Sequence, residues 1–167
     1  VGVSDESAFA AGTRATIEES DAEIFFVHPK HDKVFGRKAY DSLAEVGVPV
    51  DVVVSATSAP RLVDTANEGA DLGIGGIVTL AAGFAEIGGE GIELQRQLDA
   101  AVARGGFPLV GPNGIGMIDV PNGNWLTMLP RWPARPGGLS AVAHSGGTIE
   151  ALGSASARPG GPGLNLM

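Results

Sequence analysis

The turn from Gly111 to Gly116 contains residue types that favour a ligand site. Leu109 and Val110 are β-formers, and Gly-Pro-Asn-Gly follows them directly. Glycine adopts backbone angles that other residues avoid, proline fixes its own φ, and the Asn113 amide can hydrogen-bond to backbone or ligand. Open α/β sheets bind ligands where a buried strand runs into such a turn. An ordinary connecting turn has the same composition, so spacing alone leaves both interpretations open.

A second candidate is the segment of residues 30–38, the only locally basic stretch of the chain. It follows the predicted end of a strand at His28 and Pro29. Lysine or arginine there could hold phosphate through charge-assisted hydrogen bonds, each contributing on the order of 1.5–3 kcal/mol. The alternative is a solvated loop whose lysines bind nothing.

A third candidate is the turn Ser145-Gly146-Gly147-Thr148, between a predicted strand at 139–144 and a predicted helix at 148–157. Free N–H groups at a helix start bind anions, and glycines let phosphate approach the backbone. A serine-capped helix without a ligand is the alternative. A hydrolase is disfavoured because the G-x-S-x-G elbow is missing. The three histidines lack the spacing of a metal site, so no metal is predicted.

Composition excludes several classes of protein. The chain has 167 residues, a net charge of −8 and no cysteine. Without a concentrated basic patch, nucleic acid is not expected as a partner. The lack of cysteine excludes disulfides and thiolate catalysis and fits a cytoplasmic protein. No apolar run reaches the roughly 20 residues of a membrane span, and no signal peptide is visible, so no membrane partner is expected.

Both ends of the sequence suggest a piece of a longer protein. The first residue is Val1 rather than Met, and the last residues lie inside an apolar run that ends at Met167. A sheet edge cut short in this way also makes a homo-oligomer plausible as a hypothesis.

Strand and helix patterns alternate along the first two thirds of the chain. This order predicts an α/β fold, a Rossmann-like doubly wound parallel sheet, over residues 1–121. No G-x-G-x-x-G fingerprint follows the first strand, which disfavours an NAD site. Residues 122–138 are predicted to form an irregular connector, and 139–167 to begin a second domain. The predicted strands are 23–28, 50–56, 76–82 and 107–111, and the predicted helices are 6–20, 59–70 and 90–104.

Five blocks in register resemble a known family. They are His28-Pro29-Lys30, the stretch 34–40, the stretch 81–86, Gly111-Pro112-Asn113 and the stretch 144–148. Together they resemble the CoA-binding domain of NDP-forming acyl-CoA synthetases, relatives of the succinyl-CoA synthetase α subunit and of ADP-forming acetyl-CoA synthetase. The last block resembles the start of that family's flavodoxin-like second domain.

The resemblance implies an acid–thiol ligase that joins a carboxylic acid to CoA through an acyl phosphate and a phosphohistidine. It implies CoA as a substrate, with ATP or ADP and Mg bound elsewhere in the full-length enzyme, and it implies ligase and ATP-grasp domains or subunits as partners. The implied CoA-binding residues follow successive strands: Ser4, Asp5, Pro29 and Lys30 at the nucleotide end, Ala56, Thr57, Ala82, Gly83 and Phe84 along the pantetheine, and Asn113 near the reacting end. The implied phosphate-binding residues are Ser145, Gly146, Gly147 and Thr148.

Two departures from the family pattern limit this assignment. His28 and His144 stand where the family more often has Asn and Gln or Arg. The family's phosphorylated histidine lies beyond the last residue of this sequence, so no catalytic residue is assigned and this portion alone is expected to be inactive. A non-catalytic CoA- or nucleotide-sensing module stays open as an alternative function.

Overall fold

The computed structural model describes residues 1–7, 10–127, 129 and 131–167. Two compact units are present: Val1–Ala10 with Ile24–Gly116, and Ala11–Glu23 with Met117–Met167. In chain order the helices and strands are α1 (Ala10–Glu18), β1 (Phe26–Val27), β2 (Lys33–Val34), β3 (Arg37–Tyr40), β4 (Val53–Ser55), α2 (Ala59–Leu72), β5 (Ile77–Thr79), α3 (Glu90–Gly105), β6 (Leu109–Val110), β7 (Gly116–Asp119), β8 (Asn124–Thr127), β9 (Pro136–Leu139) and α4 (Gly146–Ser156).

Parallel strands form the centre of the first unit. β1 pairs with β3, and β4, β5 and β6 pair in that order, all parallel. The N-terminal residues join the two groups: the Val1 nitrogen donates to the Val54 carbonyl, Ala56 donates to the Val1 carbonyl, and Gly2 donates to the Val27 carbonyl. Counting residues 1–3 as the first parallel segment, the spatial order is third, second, first, fourth, fifth and sixth. This is the Rossmann order, so the predicted fold class is confirmed.

Helices α2 and α3 cover the β4–β5–β6 sheet with their apolar faces. Leu62 and Ala66 of α2 and Leu98 of α3 are almost completely buried in the core. Each helix ends at a glycine with positive φ, Gly73 at +68° and Gly106 at +68°, which accepts the left-handed cap without a steric penalty. The helices predicted at 59–70 and 90–104 therefore match α2 and α3 closely.

The basic segment of residues 30–38 is a β-hairpin rather than the loop expected from the sequence. β2 and β3 pair antiparallel, with Lys33 opposite Lys38 and Val34 opposite Arg37. Phe35 and Gly36 form the two-residue turn, with φ values of +50° and +74°. Tight hairpins favour a turn with two positive φ angles because its twist matches that of the strands. Tyr40 ends β3, and a 3-10 turn, Ala44–Val46, follows.

The second unit has its own apolar core around Ile118, Trp125 and Leu164. The stretch 122–138, expected to be an irregular connector, instead contains β8, which pairs with β7 in a two-stranded hairpin, and the start of β9. The last residues of the chain hydrogen-bond to β7 and β9. Ile118 of β7 and Met167 exchange backbone hydrogen bonds at 2.6 and 2.9 Å, and Asn165 donates to the Leu139 carbonyl of β9 at 2.8 Å.

A β–α–β unit ends the chain. Leu164 bridges in parallel to β9, and α4 lies between them in sequence. The strand predicted at 139–144 is shifted, since β9 begins at Pro136 and ends at Leu139. Gly137 and Gly163 approach so closely that a Cβ on either would overlap the other backbone, which is why a Pro-Gly-Gly segment can pair here. Helix α1 belongs to this unit apart from Ala10, and Ala8 and Phe9 of the helix predicted at 6–20 lie outside the described residues.

Candidate functional site

The carboxyl ends of the parallel strands in the first unit all meet at one edge, here called the rim. Every parallel segment except β3 is followed there by a loop that carries predicted site residues. Parallel strands place these loops side by side, where α/β sheets bind ligands. The rim residues are Ser4 and Asp5 after the first segment, Pro29 and Lys30 after β1, Ala56 and Thr57 after β4, Ala82, Gly83 and Phe84 after β5, and Asn113 after β6.

Hydroxyl groups at the ends of β4 and β5 hold the centre of the rim. The Ser55 and Thr57 hydroxyl oxygens are 2.9 Å apart, and the Thr79 hydroxyl donates to the Ser55 carbonyl at 3.3 Å. The same Thr79 oxygen accepts the N–H of Ala81 at 3.1 Å. Ser55 and Thr79 are completely buried. Because buried hydroxyls need such partners, this network fixes where the β4 and β5 loops begin.

Two glycines let the rim loops approach the neighbouring strands. A Cβ on Gly2, at φ +81°, would lie 2.5 Å from Thr57 Cγ2. A Cβ on Gly111, at φ +124°, would lie 2.6 Å from Thr79 Cγ2 and 2.7 Å from the Thr79 carbonyl oxygen. Only glycine satisfies both the backbone angle and the spacing at these positions.

Asn113 is held by its backbone and leaves its side chain exposed. Its N–H donates to the Ala81 carbonyl at 2.7 Å, and its φ is +53°, a left-handed value that asparagine tolerates. The bond joins the β6 loop to the β5 loop. The side-chain amide, on an exposed residue of the rim, can therefore donate to and accept from a ligand.

The β5 loop is organised by a residue that the sequence reasoning did not select. The carboxylate of Glu86 accepts the N–H of Gly83 at 2.6 Å and that of Phe84 at 3.1 Å. The hydrogen bond from Gly83 is the largest cause of a lowered pKa at Glu86. A glutamate three residues after a turn glycine was the sequence signal available for this role.

Phe84 occupies the core and not the surface of the rim. Its side chain is completely buried among residues of α2 and α3. The sequence prediction placed Phe84 along the pantetheine path, and the buried ring leaves only its backbone for such a contact. Ala82 is exposed beside it.

The loop after β1 carries two histidines in contact. The Lys30 N–H donates to His28 Nδ1 at 3.2 Å, and the His28 and His31 rings lie 4.3 Å apart. Burial lowers the pKa of His28, and the nearby charges of His31 and Lys30 add to this effect. A neutral His28 whose Nδ1 accepts a hydrogen bond has its proton on Nε2, so it can donate to a ligand from that atom.

Asp5 is exposed, and its carboxylate contacts the basic hairpin. Both of its carboxylate oxygens accept the N–H of Phe35, at 3.2 Å for Oδ1 and 3.1 Å for Oδ2. The sequence assigned Asp5 to the ligand, and this contact gives it a second role as the anchor of the basic hairpin. Ser4, next to it, is partly buried.

The predicted phosphate turn lies in the second unit. Helix α4 begins at Gly146, and Thr148 donates its N–H to the Ser145 carbonyl at 3.0 Å. The alternative to a phosphate site was a helix capped by the Ser145 side chain. In the structure the Ser145 hydroxyl makes no capping hydrogen bond. Ser145, Gly147 and Thr148 are exposed, so this helix start can accept an anion.

Among the residues that the structure describes, no group of three His, Asp or Glu side chains could hold a metal ion. None of the helices described here is both long and apolar enough to span a membrane.

Comparison with known proteins identifies the family. The sequence model of the family described as "CoA binding domain" matches residues 1–119. The chain belongs to the CoA binding domain family. This match covers the whole rim of the first unit and confirms the resemblance expected from the five sequence blocks.

Curated relatives of this CoA-binding domain are acid–CoA ligases. A trans-feruloyl-CoA synthase from an unknown prokaryotic organism is 33% identical over 146 residues, which is 86% of this chain and 21% of the relative. The ADP-forming acetate–CoA ligase I of Archaeoglobus fulgidus is 31% identical over 82% of this chain and 20% of its own length. The chain thus spans about a fifth of these relatives.

Solved structures share the fold of the CoA-binding domain. The dinucleotide-forming acetyl-coenzyme A synthetase 1 of Ca. Korarchaeum cryptofilum, in complex with phosphate and ADP, matches 99% of this chain and 35% of its own with a TM-score of 0.83 and 20% identity. PH0766 from Pyrococcus horikoshii matches 99% of this chain and 38% of its own, with a TM-score of 0.82 and 21% identity.

Proposed function

We propose that this domain binds CoA along the rim, as the CoA-binding portion of an NDP-forming acid–CoA ligase. The observation that carries the proposal is the convergence of five loops on one edge. Those loops are joined by bonds such as that from Asn113 N–H to the Ala81 carbonyl and that from Ala56 N–H to the Val1 carbonyl. A preorganised edge of this kind loses little conformational entropy when an extended ligand binds.

Charge favours the nucleotide end of CoA at the β1 loop. The chain carries a net charge of −8, yet Lys30, Lys33 and Lys38 are all of its lysines. Pro29 and Lys30, with Ser4 of the neighbouring loop, are proposed to hold the nucleotide. Lys30 is exposed, and every ion pair among the described residues involves an arginine, so its ammonium has no carboxylate partner there.

The middle and far loops would hold the rest of CoA. Ala56 and Thr57 after β4, and Ala82 and Gly83 after β5, offer small side chains and backbone groups suited to the narrow pantetheine arm. Asn113 would stand near the thiol. CoA would act as a substrate at these residues, and its thiol would receive the acyl group.

Other parts of the ligase are proposed to supply the remaining chemistry. A phosphohistidine, an ATP-grasp module and bound ATP or ADP with Mg would come from further domains or a partner subunit, and α subunits of Pyrococcus furiosus acetate–CoA ligases are among the relatives. The turn Ser145–Thr148 would then meet phosphate. We also propose a cytoplasmic location, which the lack of cysteine supports.

Calorimetric titration of the 167-residue chain with CoA tests this proposal. Saturable binding in the millimolar range or tighter is expected. A Gly111→Ala variant provides a control, since its new Cβ would collide with Thr79 and shift the rim. Absence of heat and of any thermal shift at millimolar CoA would refute binding by this chain.

A further inference from the structure

The basic hairpin contains a feature that the CoA-binding loops do not explain. Lys33 and Lys38 lie directly opposite each other across β2 and β3, and both are exposed. Like charges opposite each other in an antiparallel pair destabilise it. The three lysines of this acidic chain all fall within residues 30–38. Two of them face each other in the hairpin, where their repulsion opposes strand pairing.

Among the described residues, neither Lys33 nor Lys38 forms an ion pair with an acidic side chain. The ion pairs there are formed by Arg14, Arg61, Arg96, Arg104 and Arg131, and by none of the lysines. The Lys38 ammonium instead lies 4.1 Å from the centre of the Tyr40 ring. This cation–π contact limits the positions of the Lys38 side chain while its N–H groups keep their capacity to donate.

The opposite face of the hairpin is anchored firmly. Arg37 donates to the Ile24 carbonyl at 2.7 Å, and its guanidinium carbon lies 5.4 Å from the centre of the Phe26 ring. Phe35, at the tip, donates to Asp5 in the first rim loop and packs edge-on against Phe26 at 5.7 Å. The Lys33–Lys38 pair is therefore held on a fixed support that touches the rim through Asp5.

We propose that Lys33 and Lys38 form an anion subsite that takes the 3′-phosphate of CoA. This inference rests on the proposed function. Two ammonium groups match a phosphate monoester, which carries about −1.5 to −2 charges at neutral pH, better than they match the singly charged phosphates of the CoA pyrophosphate. A bound dianion would remove the cross-strand repulsion, so hairpin pairing and ligand binding would support each other.

The test compares CoA with dephospho-CoA, which lacks only the 3′-phosphate. Both ligands are titrated calorimetrically into the wild-type chain and into Lys33→Gln, Lys38→Gln and Arg96→Gln variants. Arg96 is the matched control, because the same charge is removed from an exposed residue that pairs only locally, with Glu93. Each lysine variant is expected to weaken CoA about tenfold or more, the size of one charged hydrogen bond, and to leave dephospho-CoA unchanged.

The other outcomes refute either the anion subsite alone or the proposed function together with it. Equal weakening of both ligands, or no weakening of CoA, refutes the subsite while the proposed function stands. If neither ligand binds the wild-type chain, the proposed function fails and the subsite with it. Inorganic phosphate, as a third titrant, distinguishes the source: if it binds the wild-type chain as tightly as adenosine 3′,5′-bisphosphate does, the pair is a free-phosphate site and the assignment to CoA is wrong.

Discussion

The carboxylate of Asp5 accepts the backbone N–H of Phe35 and so ties the first loop of the rim to the tip of the basic hairpin. Phe35 has a φ of +50°, an unfavourable value for a residue with a Cβ. A hydrogen bond from a charged acceptor offsets part of that cost. The contact links two loops that are 30 residues apart in sequence, and it makes Asp5 a positioning residue for the lysines.

Replacing Asp5 by Ala should loosen the hairpin. The variant should lose about 1 kcal/mol of unfolding free energy, because the Phe35 N–H loses its acceptor. Hydrogen exchange of the Phe35 and Lys38 amides should become faster. Asp5→Asn is the control, since its amide oxygen can still accept. Unchanged exchange at Phe35 in Asp5→Ala would show that the contact does not hold the tip.

Replacing Gly111 by Ala should destabilise the domain much more than replacing Gly106 by Ala. Both glycines have positive φ, but a Cβ on Gly106 meets nothing within 4 Å, whereas one on Gly111 meets Thr79. We expect a loss of about 1 kcal/mol for Gly106→Ala and about 3 kcal/mol for Gly111→Ala. Urea unfolding measures both, and equal losses would contradict the close approach at Thr79.

Glu86 should titrate below its ordinary pKa of 4.5, because the Gly83 N–H stabilises its carboxylate. A pKa depressed in the folded state contributes stability above the unfolded value, and this contribution is lost as pH falls through the folded pKa. The Gly83 amide shift followed by NMR should therefore show a midpoint under 4.5. Glu86→Gln should cost more stability at pH 6 than at pH 3, which lie about one and a half units either side of the ordinary pKa. A midpoint at or above the ordinary value would refute the role of Glu86.

Replacing Lys30 by Glu should weaken CoA much more than dephospho-CoA. The added negative charge would repel the 3′-phosphate of CoA, which dephospho-CoA lacks. Arg96→Glu is the control with the same change in charge, and it should leave both ligands unaffected. Calorimetry gives the two affinities, and equal losses for the two ligands would remove Lys30 from the neighbourhood of the 3′-phosphate.

The sequence predicted the parallel sheet well because local patterns determine it. An apolar stripe of Leu62, Val63 and Ala66 defines α2. The turn glycines Gly73 and Gly106 end α2 and α3, and so they locate the strands that follow. Alternation of strands and helices then leads to a parallel sheet with few alternatives. The order of loops along the rim follows from that topology, so most rim positions could be inferred.

Two hairpins escaped prediction because their strands lack an apolar pattern or carry irregular signals. In β2 and β3, charged residues occupy half of the positions, so the basic segment was interpreted as a loop. Residues 122–138, which include β8, were expected to form an irregular connector, although the Asn122-Gly123 pair is a known hairpin signal. The contacts of Asp5 and Glu86 depend on tertiary geometry, and residue type alone could not distinguish anchors from ligand contacts.

The most direct test is to map CoA binding onto backbone amides by two-dimensional NMR of the 167-residue chain. Binding at the rim predicts shift changes at Gly2, Lys30, Thr57, Gly83 and Asn113. It predicts none at Gly73 and Gly106, which precede β5 and β6 at the other edge of the sheet. Changes centred on Gly73 and Gly106, with the rim amides unmoved, would contradict the account.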